Sequence, residues 1–345
     1  MTSKEIINRI IDHDLPPRIG FDFKENNPSD FLHAPTAVLS RPEGNRLETW
    51  GRDPSLAARV PGFPGELKMN PMGNIFGRLN QKTQGECVKG ALQDGWELLE
   101  TLVFPRINDE KDRQFENAGY GQSDKFVLGA MPFAIWASLR DMRHIDQALM
   151  DTILEPDYVT AFLDRILNLA IKIVDRAHKN GVEGLIIYDD LGTQNALFFS
   201  PDTFRKLFMP YYKKLAGELH NRGMRFFMHS CGRVYDIVAD LIDAGVDVFQ
   251  FDQPELSGSR VWAEEFGQRA VFYCPVDIQK IMATGNETVI KEGALNMVNC
   301  FKKHGGSLIA MDYGNWQDIN VVPEWQQWAR NVIIANADMA QAGGW

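Results

Sequence analysis

The chain has 345 residues, 44% hydrophobic and 24% charged, with a net charge of −10 and a pI near 5.3. That is the composition of an ordinary globular protein with enough apolar residues for a large core. The acidic balance argues against a nucleic-acid partner, since no basic stripe offsets phosphate repulsion. No apolar run approaches the ~18 residues a membrane span needs.

Four cysteines, Cys87, Cys231, Cys274 and Cys300, are widely spaced and form no CxxC pair. A chain this long with so sparse a set reads as a protein with reduced thiols in the cytoplasm. The N-terminus lacks the apolar core of a signal peptide.

In chain order, residues 3–12 predict a short helix stopped by Pro16-Pro17, and Arg18 to Phe23 alternates as a first strand. Residues 24–80 are rich in Gly, Pro and Asn and read as irregular, with a small hairpin around Trp50 and Asn74-Ile75-Phe76-Gly77-Arg78. The helical spacing of Cys87, Val88, Leu92, Trp96, Leu98 and Leu99 predicts a helix over 83–102. Cys87 and Cys300, both on expected helices, are assigned to structure.

From residue 125 the pattern becomes regular. Apolar runs at 125–129, 184–190, 224–229, 246–252, 270–274 and 307–312 predict strands, and between them lie helical periods, the longest from Pro156 to about Gly181. Polar residues cluster just past the C-terminal end of most strands, and no Gly-rich phosphate turn follows any of them. These features predict an α/β fold, a (β/α)8 TIM barrel with its active site at the C-terminal mouth. The whole chain, 1–345, reads as one barrel domain, with 1–80 an irregular N-terminal extension packed on it.

Candidate site residues are the polar groups at those strand ends. His229 and Cys231 stand two apart at the end of Arg225-Phe226-Phe227-Met228, so a strand puts imidazole and thiol on one face, where both can ligate Zn2+. Cys274, at the end of the next strand but one, is the best-placed third sulfur if it faces the barrel interior, and Asp or Glu are the other means of completing the set. Of Asp189 and Asp190, alternation places Asp190 with Tyr188 on one face, leaving Asp189 for a cap or loop anchor. Gln250 and Asp252 share a face at their strand end. Asp312, Tyr313 and Trp316 follow the last strand and are expected to line the pocket.

Tyr188-Asp189-Asp190-Leu191-Gly192-Thr193-Gln194, Ser200-Pro201, Pro210-Tyr211-Tyr212-Lys213-Lys214-Leu215, His229-Ser230-Cys231-Gly232, Cys274-Pro275-Val276-Asp277 and Met311-Asp312-Tyr313-Gly314-Asn315 follow one another in this order. Together they resemble the uroporphyrinogen decarboxylase superfamily over roughly residues 70–337, and the resemblance implies the same barrel. Decarboxylases proper hold substrate carboxylates with an N-terminal Arg-rich segment. Here Arg18, Arg41, Arg46, Arg52 and Arg59 lack that arrangement.

The chain is more similar to the corrinoid-dependent methyltransferase branch, which carries a His-x-Cys zinc motif. That branch also has a cysteine on the last strand, and none stands near Asp312-Tyr313. The departure sets the chain apart from thiol-methylating members, whose zinc has two sulfur ligands.

The resemblance thus implies a zinc-dependent enzyme that moves a methyl group from a small methylated donor, such as a methyl ether, to a corrinoid (cobalamin) carried by a partner protein. Zinc would sit on His229, Cys231 and Cys274 or a carboxylate. Asp190 and Asp252 would act in catalysis, and Tyr188, Gln250, Asp312, Tyr313 and Trp316 would contact substrate. The alternatives are a metal-free decarboxylase-like carboxy-lyase, for which Arg140, Arg233 and Arg260 are the candidate carboxylate ligands, and a non-catalytic binding barrel.

Overall fold

The computed structural model describes residues 1–41, 49–81, 85–116, 118–314 and 319–339. Eight parallel strands form a nearly closed barrel: β1 (Gly20–Asp22), β2 (Phe31–Ala34), β3 (Phe126–Ala130), β4 (Gly184–Tyr188), β5 (Arg225–His229), β6 (Val248–Gln250), β7 (Val271–Cys274) and β8 (Leu308–Met311). They pair in chain order from β2 to β8, and β8 then pairs with β1. No helix among the described residues is long and apolar enough to cross a membrane.

The seam between β1 and β2 has no ladder. Local contacts close it instead: the Asp30 carboxylate receives the Phe21 N–H at 2.9 Å and both terminal nitrogens of Arg18 at 2.8 Å, the Asp30 N–H donates to the Phe21 carbonyl at 2.8 Å, and an isolated bridge joins Asp22 to Ser29. A continuous ladder is unnecessary where charge-assisted hydrogen bonds satisfy the same backbone groups.

One face of each strand fills the barrel. Phe31, Phe126, Leu128, Ile186, Phe227, Val248, Val271, Tyr273 and Ile309 form an interior cluster with Ile6, Ile7, Ile10 and Ile11. Those four isoleucines belong to the first helix, Ser3–Ile11, which starts with a Thr2/Glu5 capping box and closes the N-terminal end. Gly20 lets that helix pack closely, because a Cβ there would lie 2.8 Å from Ile7 Cδ1 and push the isoleucine aside. The opposite strand faces pack against the surrounding helices in the larger outer core.

The regular half matches its sequence reading closely, with helices at Ile135–Arg143, Pro156–Lys179, Met209–His220, Tyr235–Ala244, Glu287–Lys302 and Pro323–Ala335. The helix expected from Ser200 onward contains a π-turn at Phe204–Phe208. Pro210 explains it: a proline inside an α-helix clashes with the carbonyl four residues back, and widening the turn relieves the clash.

The first third differs from its reading. Phe31–Ala34, within the stretch read as irregular, is barrel strand β2. The hairpin expected around Trp50 and 74–78 is found only in its second half: Ile75–Arg78 pairs with Glu66–Met69, the chain next to Trp50 contributes only an isolated bridge from Gly51 to Leu67, and a third strand, Glu86–Lys89, joins. Cys87 is therefore on a strand. The helix predicted over 83–102 is replaced by that strand, a turn and a 3-10 turn at Trp96–Leu99. Gly90 and Gly95 break the helix, and Gly90 packs so closely on the Met142 carbonyl that a Cβ would come within 2.2 Å of its oxygen. Leu92, Trp96 and Leu99 are buried as their spacing suggested, without a helix to carry them.

Candidate metal and active site

β4 ends at Tyr188, and the two aspartates after it diverge. Asp189 is fully buried and accepts the N–H groups of Ile135, Trp136 and Ala137 at 2.8–3.0 Å, together with the Tyr212 hydroxyl at 2.6 Å. It thus caps the first turn of helix Ile135–Arg143, where a carboxylate suits the helix dipole. Asp190 turns toward the barrel mouth.

There Asp190 meets the end of β5. Its Oδ1 lies 3.3 Å from His229 Nε2, and Cys231 Sγ lies 3.4 Å from the same nitrogen. The three ligand atoms are all within 4.8 Å of one another. Two loops are laced together to achieve this. Asp190 Oδ1 accepts the Cys231 N–H at 2.8 Å, Ser230 Oγ accepts the Leu191 N–H at 3.0 Å, and Arg233 N donates to the Thr193 carbonyl at 2.8 Å. Gly232, at φ +83°, lets the backbones cross, since a Cβ there would be 2.2 Å from the Gly192 oxygen.

His229 is held from behind. Its Nδ1 is hydrogen-bonded to Gln250 Oε1, and the Gln250 amide nitrogen donates to Asp252 Oδ1 at 2.8 Å and approaches Met311 Sδ at 3.5 Å. With Nδ1–H committed to Gln250, Nε2 is the atom aimed at Asp190 and Cys231. The Tyr188 ring lies 5.4 Å from the imidazole and forms the adjacent wall.

The charges follow from this geometry. Burial pushes the Asp190 carboxyl up, but the hydrogen bond and charge of His229, the Cys231 N–H and the charge of Arg140 together bring it down to about 2. Burial disfavours a charged His229, yet Asp190, Cys231 and the charge of Asp252 hold its imidazole well above its usual range. Burial raises the Cys231 thiol and the Asp252 carboxyl.

The donor set fits zinc. Ligand atoms at ~2.0–2.3 Å from a tetrahedral Zn2+ are about 3.3–3.7 Å apart, and N, O and S donors are all accepted. The 3.3 and 3.4 Å separations from His229 Nε2 fall in that range, and the Asp190 and Cys231 ligand atoms lie within 4.8 Å of each other. A protein-bound carboxamide behind the histidine is the outer support such ligands use.

The remaining expected residues are placed elsewhere. Cys274 does not face the interior: Tyr273 takes the inward phase, its hydroxyl bound by Asp22, and Cys274 is fully buried in the outer core, where burial raises its thiol. The cluster's third group is thus the carboxylate of Asp190. Asp312 accepts the Lys24 N–H at 2.8 Å and Arg330 Nη1 at 3.0 Å, anchoring the last helix. The Tyr313 N–H donates to Gln326 Oε1 at 3.0 Å beside that helix. Trp316 lies outside the described residues. All four cysteines are free.

A cavity of about 590 Å³ opens beside Tyr188 and runs under the segment between β2 and β3, with Met72, Phe76, Met131, Phe133 and Arg140 among its walls. Its size suits a small organic ligand. Sequence reading missed this wall because Met72 comes from the stretch read as irregular and Phe76 from its small hairpin, with no local signal that either reaches the barrel mouth. It also missed Asp22 and His33 at the ends of β1 and β2, whose only local signal is a polar residue closing a very short apolar run.

The uroporphyrinogen decarboxylase (URO-D) profile matches residues 125–312, more than half of the chain and the part holding six of the eight strands. The chain belongs to the uroporphyrinogen decarboxylase family. No curated protein gives a significant match. Among solved structures, a methyltransferase from Methanosarcina mazei is similar with a TM-score of 0.54 and 17% identity, over 81% of this chain and 78% of that one. A B12-independent methionine synthase from a Shewanella species is similar with a TM-score of 0.40 and 10% identity, over 68% of each chain. The first likeness shows the shared barrel architecture of this family member.

Proposed function

We propose that the protein is a zinc-dependent methyltransferase that takes a methyl group from a small methylated donor, a methyl ether or similar compound, and passes it to a corrinoid carried by a partner protein. The observation that carries the reading is the convergence of Asp190 Oδ1, His229 Nε2 and Cys231 Sγ at the barrel mouth. Three protein ligands leave a fourth position open, which is the pattern of a catalytic rather than a structural site. Zinc held there supplies Lewis acidity, polarising the heteroatom that carries the methyl group and stabilising the charge it develops.

The chain's own residues do the rest. Gln250 fixes the His229 ring, Asp252 fixes the Gln250 amide, and Tyr188 walls the substrate position next to the imidazole. The neighbouring cavity accommodates the donor's body, with Arg140 as a cation in its wall. The M. mazei relative, named as a methyltransferase, supports the same direction. The metal-free decarboxylase alternative calls for convergent cations. Arg140 lies on the cavity wall, Arg233 beside a different cavity with Gln194 and Tyr235, and Arg260 beside Glu264 on the surface.

Metal analysis of protein purified without chelator tests the reading. One zinc per chain is expected, falling together in Asp190→Ala, His229→Ala and Cys231→Ala; an apo wild type that takes up no zinc on titration refutes it.

A further inference from the structure

The metal cluster occupies one wall of the barrel mouth, and the wall nearly opposite carries a second polar group. Asp22 is the last residue of β1. His33, on β2, has the inward phase of Phe31, which packs in the barrel interior. His33 Nε2 lies 2.8 Å from Asp22 Oδ2. The Asp22 carboxylate, 2% exposed, also accepts the Ser29 hydroxyl at 2.9 Å and the Tyr273 hydroxyl, with Lys24 Nζ at 4.0 Å. Burial raises this carboxyl, but His33, Lys24 and Tyr273 outweigh it and keep the group ionised.

His33 is different: it points inward and yet its side chain is 49% exposed. An inward side chain that is half in solvent lines an open mouth. Nε2 faces Asp22, so Nδ1 is the nitrogen on the open side. Part of this arrangement braces the β1–β2 seam, but Asp30 already ties that seam with its own hydrogen bonds, and bracing does not require an exposed imidazole. Tyr188 stands between the two walls, against the His229 ring and within electrostatic reach of both Asp252 and Asp22. A buried carboxylate that orients a histidine from behind is a recurring acid–base arrangement.

Resting on the methyl-ether reading above, we propose that His33, oriented by Asp22, donates the proton that the leaving heteroatom needs when its methyl group is removed. The ether C–O bond breaks with its electron pair on oxygen. The methyl carbon forms its new bond with the electron pair of a reduced corrinoid cobalt. The proton passes from Nδ1 of the doubly protonated His33 ring to that oxygen while Nε2–H stays on Asp22, and a proton from solvent at the exposed ring edge restores it. His33 is the catalytic residue and Asp22 its positioning residue.

His33→Gln tests this, because a glutamine amide can keep a hydrogen bond to Asp22 and cannot donate a proton. Methyl transfer to cob(I)alamin is compared for anisole, which leaves as a basic phenolate, and 4-nitroanisole, whose phenolate is stable without a proton. The expected loss is about 100-fold or more with anisole and under about threefold with 4-nitroanisole, since only the poor leaving group needs general acid help. Zinc content and melting temperature should match the wild type, and His33→Phe should repeat the pattern. In metal-free protein, 4-nitrophenolate followed by its own absorbance should bind about tenfold more weakly to His33→Gln, the scale of one charge-assisted hydrogen bond. Equal losses with the two ethers, no loss with either, or unchanged 4-nitrophenolate binding overturns the role of His33 alone. A zinc-loaded wild type that transfers methyl from neither ether overturns the methyl-ether reading on which it rests.

Discussion

Gln250→Leu isolates the support behind the proposed metal cluster without touching a candidate ligand atom. Gln250 is 4% exposed, its oxygen accepts from His229 Nδ1, and its nitrogen serves Asp252 Oδ1 at 2.8 Å. Leucine has nearly the same shape but neither function, so His229 Nδ1–H loses its acceptor and the imidazole is free to rotate or to change tautomer. Losing such an outer partner typically weakens metal binding 10–100-fold, or about 1.4–2.8 kcal/mol. Competition between the protein and a chromophoric chelator reads this directly. Gln250→Glu is the control: a carboxylate still accepts from Nδ1, so zinc affinity should stay well above that of the leucine variant even though Asp252 now faces a second acid. Leucine and wild-type proteins within about twofold of each other would show that His229 needs no support from β6 and would undo the argument that the cluster is preorganised.

Two further predictions separate this site from its surroundings. Cys274→Ala should leave zinc content unchanged and cost about 1–2 kcal/mol in unfolding free energy, the scale of a small buried truncation in the outer core; loss of zinc would instead make Cys274 a ligand. His220 lies 2.9 Å from Asp247, whose hydrogen bond raises the imidazole pKa above its ordinary value. A raised pKa means the folded state holds the proton more tightly. The pair's stabilisation is therefore full below about pH 6.5 and fades as pH rises through the folded value. His220→Gln should flatten that portion of the stability profile by less than ~1 kcal/mol, since the pair is partly exposed. Urea melts at several pH values check it, and an unchanged slope refutes it.

What could be read from the residues depended on how far away their partners lie. Strands β3 to β8 are continuous apolar runs buried on both faces, so the pattern is local and legible. β2 is only Phe31-Leu32-His33-Ala34, held by ladder bonds to β3 across 91 intervening residues, and nothing within it distinguishes it from a loop. The site divides the same way. Alternation along one strand was enough to put Tyr188 and Asp190 on one side and to set His229 at the mouth, where the structure has them.

The phase of β7 was not local. Its register is set by the ladders to β6 and β8, which put Tyr273 inward, where its hydroxyl meets Asp22, 251 positions earlier, and Cys274 outward. The same barrel closure sets Asp22 and His33 nearly opposite the metal cluster, although no motif links them. A sequence reading attentive to paired ligands finds one wall of such a mouth. The other wall is built by β1 and β2, two short runs at the start of the chain, and it becomes visible only once those strands are joined to β8 and β3.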